Sequence, residues 1–235
     1  MDLPGVAEAV TRARDAVVAV RRHPANRSGW PATAAEASVR AARASAALDG
    51  ASTALPGDGP VGDPVLAGAL RVAEAAGGLL GTWQRAPLQV LARLHVLAAA
   101  DLSPESQLGR PRSSHQVTVR LDGLARLVAG GSRVAAPVLA AVVHGELLAL
   151  APFAQGNGVV ARAAARLTTV ASGLDPQGLV LPEVAHLRRE REYRAAAAGF
   201  AHGEPEAVGR WIVHCCTALI AGAREATSIA QSVIP

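Results

Sequence analysis

Gly156, Asn157 and Gly158 stand together at a junction between two long Ala-rich stretches, and Arg162 follows four residues after Gly158. A helix N-terminus exposes unpaired backbone N–H groups and the positive end of its macrodipole. Glycines just before it let the backbone come close to a bound phosphate. Asn157 tolerates left-handed dihedrals and still offers a side-chain amide. Arg162 lies about one helical turn beyond Gly158, so its long side chain can reach a terminal phosphate. The stretch Ala151–Arg162, "APFAQGNGVVAR", therefore reads either as a phosphate-sized anion nest or as a plain turn between helices.

The elements that must hold this turn are helical by composition. Half of the 235 residues are hydrophobic but only 3% are aromatic, and Ala, Val and Leu dominate, which favours helices over sheets. "APVLAAVVHGELLAL" before the turn is apolar all round and is expected at the centre of the core. "VVARAAARLTTVASG" after it reads as a helix. Upstream, a first helix is expected in "LPGVAEAVTRARDAVVAVRR" and a second from Thr33 to Gly50. Asp63-Pro64 is a capping residue followed by proline and starts a third; Thr82 is expected to cap a fourth. "LPEVAHLRREREYRAAAAGFA" reads as one charged amphipathic helix, and a long helix ends the chain. "HQVTVRL" alternates β-branched residues and predicts a strand, one arm of a hairpin. The Gly- and Pro-rich "ASTALPGDGPVGDP" marks a boundary between residues 1–62 and a core domain, 63–235. The expectation is an all-α fold of about eight helices with one small β-hairpin.

The chain resembles the Fic family, whose fold is called fido. The family signature reads His-x-Phe-x-Asp/Glu-Gly-Asn-Gly-Arg-x-x-Arg. Phe153, Gly156, Asn157, Gly158 and Arg162 match it at the right spacing. The apolar helix before the turn and "REYRAAAAGF" after it are similar to the family's neighbouring helices, and "HQVTVRL" falls at its substrate-aligning flap. The resemblance spans roughly residues 30–230 and implies a fido fold. Many members also carry an inhibitory helix, Ser/Thr-x-x-x-Glu-Gly/Asn, whose glutamate pairs with the last motif arginine and blocks productive ATP binding. Ser45, Asp49 and Gly50 occupy that pattern here. Asp49 is one methylene shorter than glutamate, and the same residues also read as a plain helix end with glycine as its stop.

Family members mostly transfer AMP from ATP to a protein hydroxyl. By the resemblance, Ala151 stands where the family has its general-base histidine, Gln155 where it has an acidic Mg²⁺ ligand, and Val159 where it has a phosphate-contacting arginine. Loss of a general base removes ~10²–10⁴ in rate, and a neutral amide is a poor Mg²⁺ ligand. What remains is the nest: Gly156, Asn157, Gly158 and Arg162, with Phe153 as packing.

Other histidines do not obviously restore a base. His144 lies two turns before Ala151, about 10 Å away by helix rise, and reads as a core histidine bonded to backbone. His95, His115 and Glu146 are remaining candidates for a proton acceptor. His144 and Glu146 resemble the His-x-Glu of zinc deaminases, but the required Pro-Cys-x-x-Cys is missing. His214, Cys215 and Cys216 are contiguous and splay around a helix, so they form a poor metal site, and no metal is expected.

Net charge is +4, every basic residue is arginine, and the arginines are scattered rather than massed beside aromatics. No lysine is available for Schiff-base chemistry or a P-loop, and no nucleic-acid partner is expected. Two adjacent cysteines provide no disulfide framework, an acidic residue stands near the start, and no long uncharged apolar run is present. These features predict a cytoplasmic chain without a signal peptide or membrane span. The reading is a Fic-fold pseudoenzyme with a residual nucleotide nest, ATP being the candidate ligand and Mg²⁺ disfavoured, and a binding or regulatory role toward a protein partner. The alternatives are a divergent transferase using His115 or Glu146 as base, and a helical interaction module or homodimer.

Overall fold

The computed structural model describes residues 3–53, 61–130 and 134–233; residues 54–60 of the expected linker lie outside them. The described residues form ten α-helices and two short 3₁₀ turns: α1 (Val6–Arg22), α2 (Trp30–Leu48), α3 (Pro64–Trp83), α4 (Pro87–Ala99), α5 (His115–Ala129), α6 (Ala136–Leu150), α7 (Asn157–Ala171), α8 (Pro182–Arg188), α9 (Glu190–Ala201) and α10 (Pro205–Val233).

Two apolar cores sit on either side of α6. One joins α3, α4, α5 and α7 through residues such as Trp83, Leu94, Leu121 and Leu167. The other joins α1, α2, α9 and α10 around Val17, Leu48, Trp211 and Ile229. Helix α6 contributes Val143 and Leu147 to the first and Ala141 to the second, so its all-round apolar sequence is used on both sides. Its most extensive contact is with α7, while α1 lies along α10 and α3 along α4. Helix α2 touches α3, α7, α8 and α10, which brings its C-terminal end to the start of α7.

Several boundaries differ from expectation, each for a local reason. "HQVTVRL" is helical in α5, and no strand occurs among the described residues. Ser114 is extended just before it, and Val117, Leu121 and Leu124 form a buried stripe spaced by four and three. Seven residues fit both periods, and packing against α4 and α6 selects the helical one. Helix α2 starts at Trp30-Pro31 rather than Thr33, with proline in the first turn. Thr82 lies inside α3, and α4 begins at Pro87 because Ala86, which precedes proline, is held out of the helical region (φ -140°, ψ 66°). The charged segment expected as one helix breaks at Arg189 into α8 and α9. That break brings the rings of His186 and Tyr193 to 4.5 Å, far closer than two turns of one helix would allow.

Helix α3 is long and apolar enough, by length and composition, to cross a membrane. It is packed on α2, α4 and α7 here, and its Arg71 donates to the Leu97 carbonyl at 3.0 Å and pairs with Asp101 at 2.6 Å.

Asp63 caps α3 as its position before proline predicts. Its Oδ1 accepts the N–H groups of Val65 and Leu66 at 2.9 and 3.0 Å, and Oδ2 accepts that of Ser52 at 3.2 Å. The Leu66 bond is the largest contribution holding the carboxyl below its ordinary range. Asp63→Ala should lower stability by about 1 kcal/mol in urea unfolding; an unchanged midpoint would show that the cap contributes nothing.

Candidate functional site

Helix α6 ends at Leu150, and Ala151 takes the left-handed conformation (φ 41°), unusual for a residue with a side chain. Arg112 holds this turn. Its Nη2 donates to the carbonyls of Leu150 and Ala151 at 2.8 and 2.7 Å, and its backbone N–H donates to Pro152 O at 2.8 Å. Phe153 is buried and stacks face to face on His95, with centroids 4.1 Å apart.

Gly156 supplies the left-handed residue that turns the chain into α7 (φ 71°), a conformation that strains any residue with a side chain, although a Cβ would meet Ala98 and Ala99 only at ordinary contact distance. Asn157 is already the first helical residue, contrary to its expected role as the left-handed donor. Its side chain is spent internally: Oδ1 accepts the Phe153 N–H at 2.9 Å and Nδ2 donates to Phe153 O at 2.8 Å. Gly158 lies in the first turn of α7, where a Cβ would overlap the carboxylate of Asp49. The absent side chain is what lets that carboxylate sit on the helix end.

Asp49 follows the last residue of α2. The end is closed by Ala51 N–H to Ala46 O at 3.0 Å and Gly50 N–H to Ala47 O at 3.0 Å, with Gly50 left-handed. This closure aims the Asp49 side chain at α7. Its Oδ2 accepts the Val159 N–H at 3.0 Å, and its Oδ1 accepts from Arg162 Nη2 at 2.8 Å. The shorter acid therefore spans the gap to Arg162. The C-terminus of α2 meets the N-terminus of α7 with a carboxylate between them, so opposite ends of two helix dipoles face each other. Arg194 on α9 donates to the Leu48 carbonyl at 2.6 Å and adds a cation at the same end of α2.

Arg162 is only 4% exposed and is satisfied from several elements. Nε donates to Ser45 Oγ at 2.7 Å, Nη2 to Ser45 O at 2.9 Å, and Nη1 to the Tyr193 hydroxyl at 3.2 Å. The Tyr193 oxygen lies 2.9 Å from His144 Nε2. The Tyr193 oxygen accepts from the guanidinium, and burial favours a neutral His144; with its proton on Nδ1, the bare Nε2 is the acceptor for the tyrosine O–H. His144 is thus a core histidine bonded to a side chain, not to backbone. Trp211 and His186 pack edge-on against its ring, and His186 Nδ1 lies 3.2 Å from His214 Nε2.

The other candidate bases are engaged or apart. Glu146 is gripped by Nε and Nη2 of Arg120 at 2.6 and 2.7 Å. His95 is fully buried, with Nδ1 accepting the Gly109 N–H at 2.9 Å, and burial holds its pKa below the ordinary value. His115 is exposed at the start of α5. Gln155 is exposed and donates to Leu102 O at 2.7 Å. Among the described residues, no group of three or more His, Cys, Asp or Glu could hold a metal ion. Cys215 and Cys216 are buried free thiols, the latter pushed up to about 11 by burial.

The residues that sequence reasoning missed are Tyr193, His186 and Arg112. Tyr193 is the one tyrosine of the chain, set in a charged stretch where an aromatic ring needs a buried partner, and that was the available signal. His186 and Arg112 carry no comparable local mark.

No protein-family model matches the chain, and no curated protein does. Among solved structures it is similar to a Fic family protein from Desulfovibrio desulfuricans G20, with a TM-score of 0.78 and 19% identity over 97% of this chain and 75% of that one. It is also similar to Fic-1 from C. elegans, with a TM-score of 0.69 and 17% identity over 97% of this chain and 72% of that one. The chain has the Fic fold.

Burial, with Arg162 as a further cause, holds His144 well below its ordinary pKa; burial and then His144 do the same to His186. Unfolding returns both to about 6.5, so the unfolded chain binds more protons in acid. Their stabilisation is complete above about pH 6.5 and is lost as pH falls through the folded values, by up to about 1.4 kcal/mol per pH unit for each. Glu183, raised by burial, contributes the opposite slope. Urea unfolding of wild type and His144→Gln across about pH 5–7 separates the two. The wild type should lose more stability on acidification; equal losses would remove His144 from the account.

Proposed function

We propose that this Fic-fold chain is a phosphate- or nucleotide-binding protein held in a closed state by Asp49, with a regulatory or binding role toward a protein partner in the cytoplasm and without AMP-transferase activity. The observation that carries the reading is the Asp49 carboxylate on the N-terminus of α7, bonded to the Val159 N–H and to Arg162. A carboxylate there is a stand-in for a phosphate: the same Val159 N–H and guanidinium that hold it would hold a phosphoryl oxygen.

The residues present fit the phosphates of a nucleotide such as ATP and do not fit its Mg²⁺. The start of α7 and Arg162 offer donors, and Gly156 and Gly158 keep the approach open. Gln155 is neutral and its amide is engaged by Leu102 O. Ala151, at the position the resemblance gives to the general base, cannot take a proton, and Val159 offers only its backbone N–H. Glu146 and His144 are both held in hydrogen bonds, so neither is poised to replace the base. With donors for an anion and no group to move a proton, the site supports binding over turnover.

Calorimetric titration of pyrophosphate and of ATP into wild type and Asp49→Ala tests this. Asp49→Ala should bind at least about tenfold more tightly, because the competing carboxylate is gone, and Asp49→Ala/Arg162→Ala should lose the gain. A folded Asp49→Ala that binds neither anion would end the nest reading. Incubation of Asp49→Ala with labelled ATP, Mg²⁺ and lysate should label no protein; labelling that Asn157→Ala abolishes would establish a transferase instead.

A further inference from the structure

Four hydrogen bonds hold the Arg162 guanidinium, and they divide by direction. Three run to Ser45 and Asp49 on α2, the element that closes the nest. The fourth runs from Nη1 to Tyr193 on α9. Tyr193 is itself buried between Arg162 and His144, with its hydroxyl within 2.9 Å of His144 Nε2 and its ring against His186 and Trp211. None of Tyr193, His144 and Trp211 belongs to α2, so these contacts do not depend on whether Asp49 occupies the nest.

We infer that Tyr193, fixed by His144, is the positioning residue that keeps Arg162 aimed at the start of α7 when Asp49 leaves. The inference rests on the anion-binding reading above and deepens it by identifying what prepares the site for a phosphate. When Asp49 departs, one Nη2 hydrogen faces the nest. A long arginine side chain free to rotate would lose rotamer entropy on binding. Ser45 restrains Nε and one Nη2 hydrogen; Tyr193 restrains the opposite branch, Nη1. Together they fix the plane of the guanidinium, so the Nη2 hydrogen that Asp49 releases stays aimed at the nest and can donate to a phosphoryl oxygen. The hydroxyl can do this because its own hydrogen has a fixed acceptor. Nε2 of a neutral His144 takes it, and the tyrosine oxygen stays turned toward the guanidinium. His144 thus acts on Tyr193 and Tyr193 on Arg162; neither touches the anion.

The test is a mutant cycle read by pyrophosphate calorimetry in the Asp49→Ala background, well below the unfolding temperature. Tyr193→Phe should weaken binding by roughly three- to tenfold, the loss of one hydrogen bond that orders a charged donor. The same substitution should have no effect on the residual affinity of Asp49→Ala/Arg162→Ala, because Tyr193 acts only through Arg162. A residue that merely supports the fold would not show that dependence. His144→Gln, which keeps an acceptor for the tyrosine hydrogen, should bind like the parent, and His144→Leu should weaken binding as Tyr193→Phe does. Equal affinity of Asp49→Ala and Asp49→Ala/Tyr193→Phe would overturn the inference and leave the nest reading standing. A Tyr193→Phe penalty that persists without Arg162 would also overturn it. Failure of Asp49→Ala itself to bind pyrophosphate would instead overturn the nest reading.

Discussion

One carboxylate joins two helix ends. Asp49 closes α2 and sits on the first turn of α7, where it meets the Val159 N–H and the buried guanidinium of Arg162. A buried arginine without such a partner would be strongly destabilising, because its charge would be desolvated without compensation. The arrangement around it follows from that requirement. Ser45 presents both its hydroxyl and its carbonyl, Tyr193 adds its hydroxyl, and Gly158 leaves the space the carboxylate occupies. The acid that satisfies Arg162 is also the acid that covers the N-terminal end of α7.

The network continues inward rather than outward. Arg162 binds Tyr193, Tyr193 binds His144, and His186 and His214 pack behind them. Burial pushes three imidazoles around a permanent cation below their ordinary pKa, so protonating them opposes the fold. Polar groups in an apolar interior specify an arrangement because each needs a particular partner. Here they tie α2, α6, α7, α8, α9 and α10 to one point, which is more than apolar packing of Ala, Val and Leu would specify on its own.

The motif loop is built by different means. Asn157 closes it through both polar atoms of its amide on Phe153, Arg112 supplies donors to three carbonyls at its entry, and His95 lies flat beneath the Phe153 ring. These contacts make the loop rigid before any ligand arrives. They also give Phe153 and Asn157 a role in the turn itself, whatever the turn binds.

Helical class, the apolar centre at α6, the Asp63 cap and the Gly-Asn-Gly turn with Arg162 one turn beyond were legible from composition and spacing, because each depends on neighbours in sequence. Ser45, Asp49 and Gly50 were legible as a pattern, and the sequence could count their spacing but not the distance from Asp49 to Arg162. That distance is set by how α2 docks on α7, over a hundred residues away in the chain. "HQVTVRL" went the other way: seven residues carry two periods, and only the surfaces of α4 and α6 chose the helix. The break at Arg189, the pairing of His144 with Tyr193 and the capture of Glu146 by Arg120 are likewise decisions of tertiary structure. A buried polar side chain takes the partner that packing brings to it, and local sequence does not contain that partner.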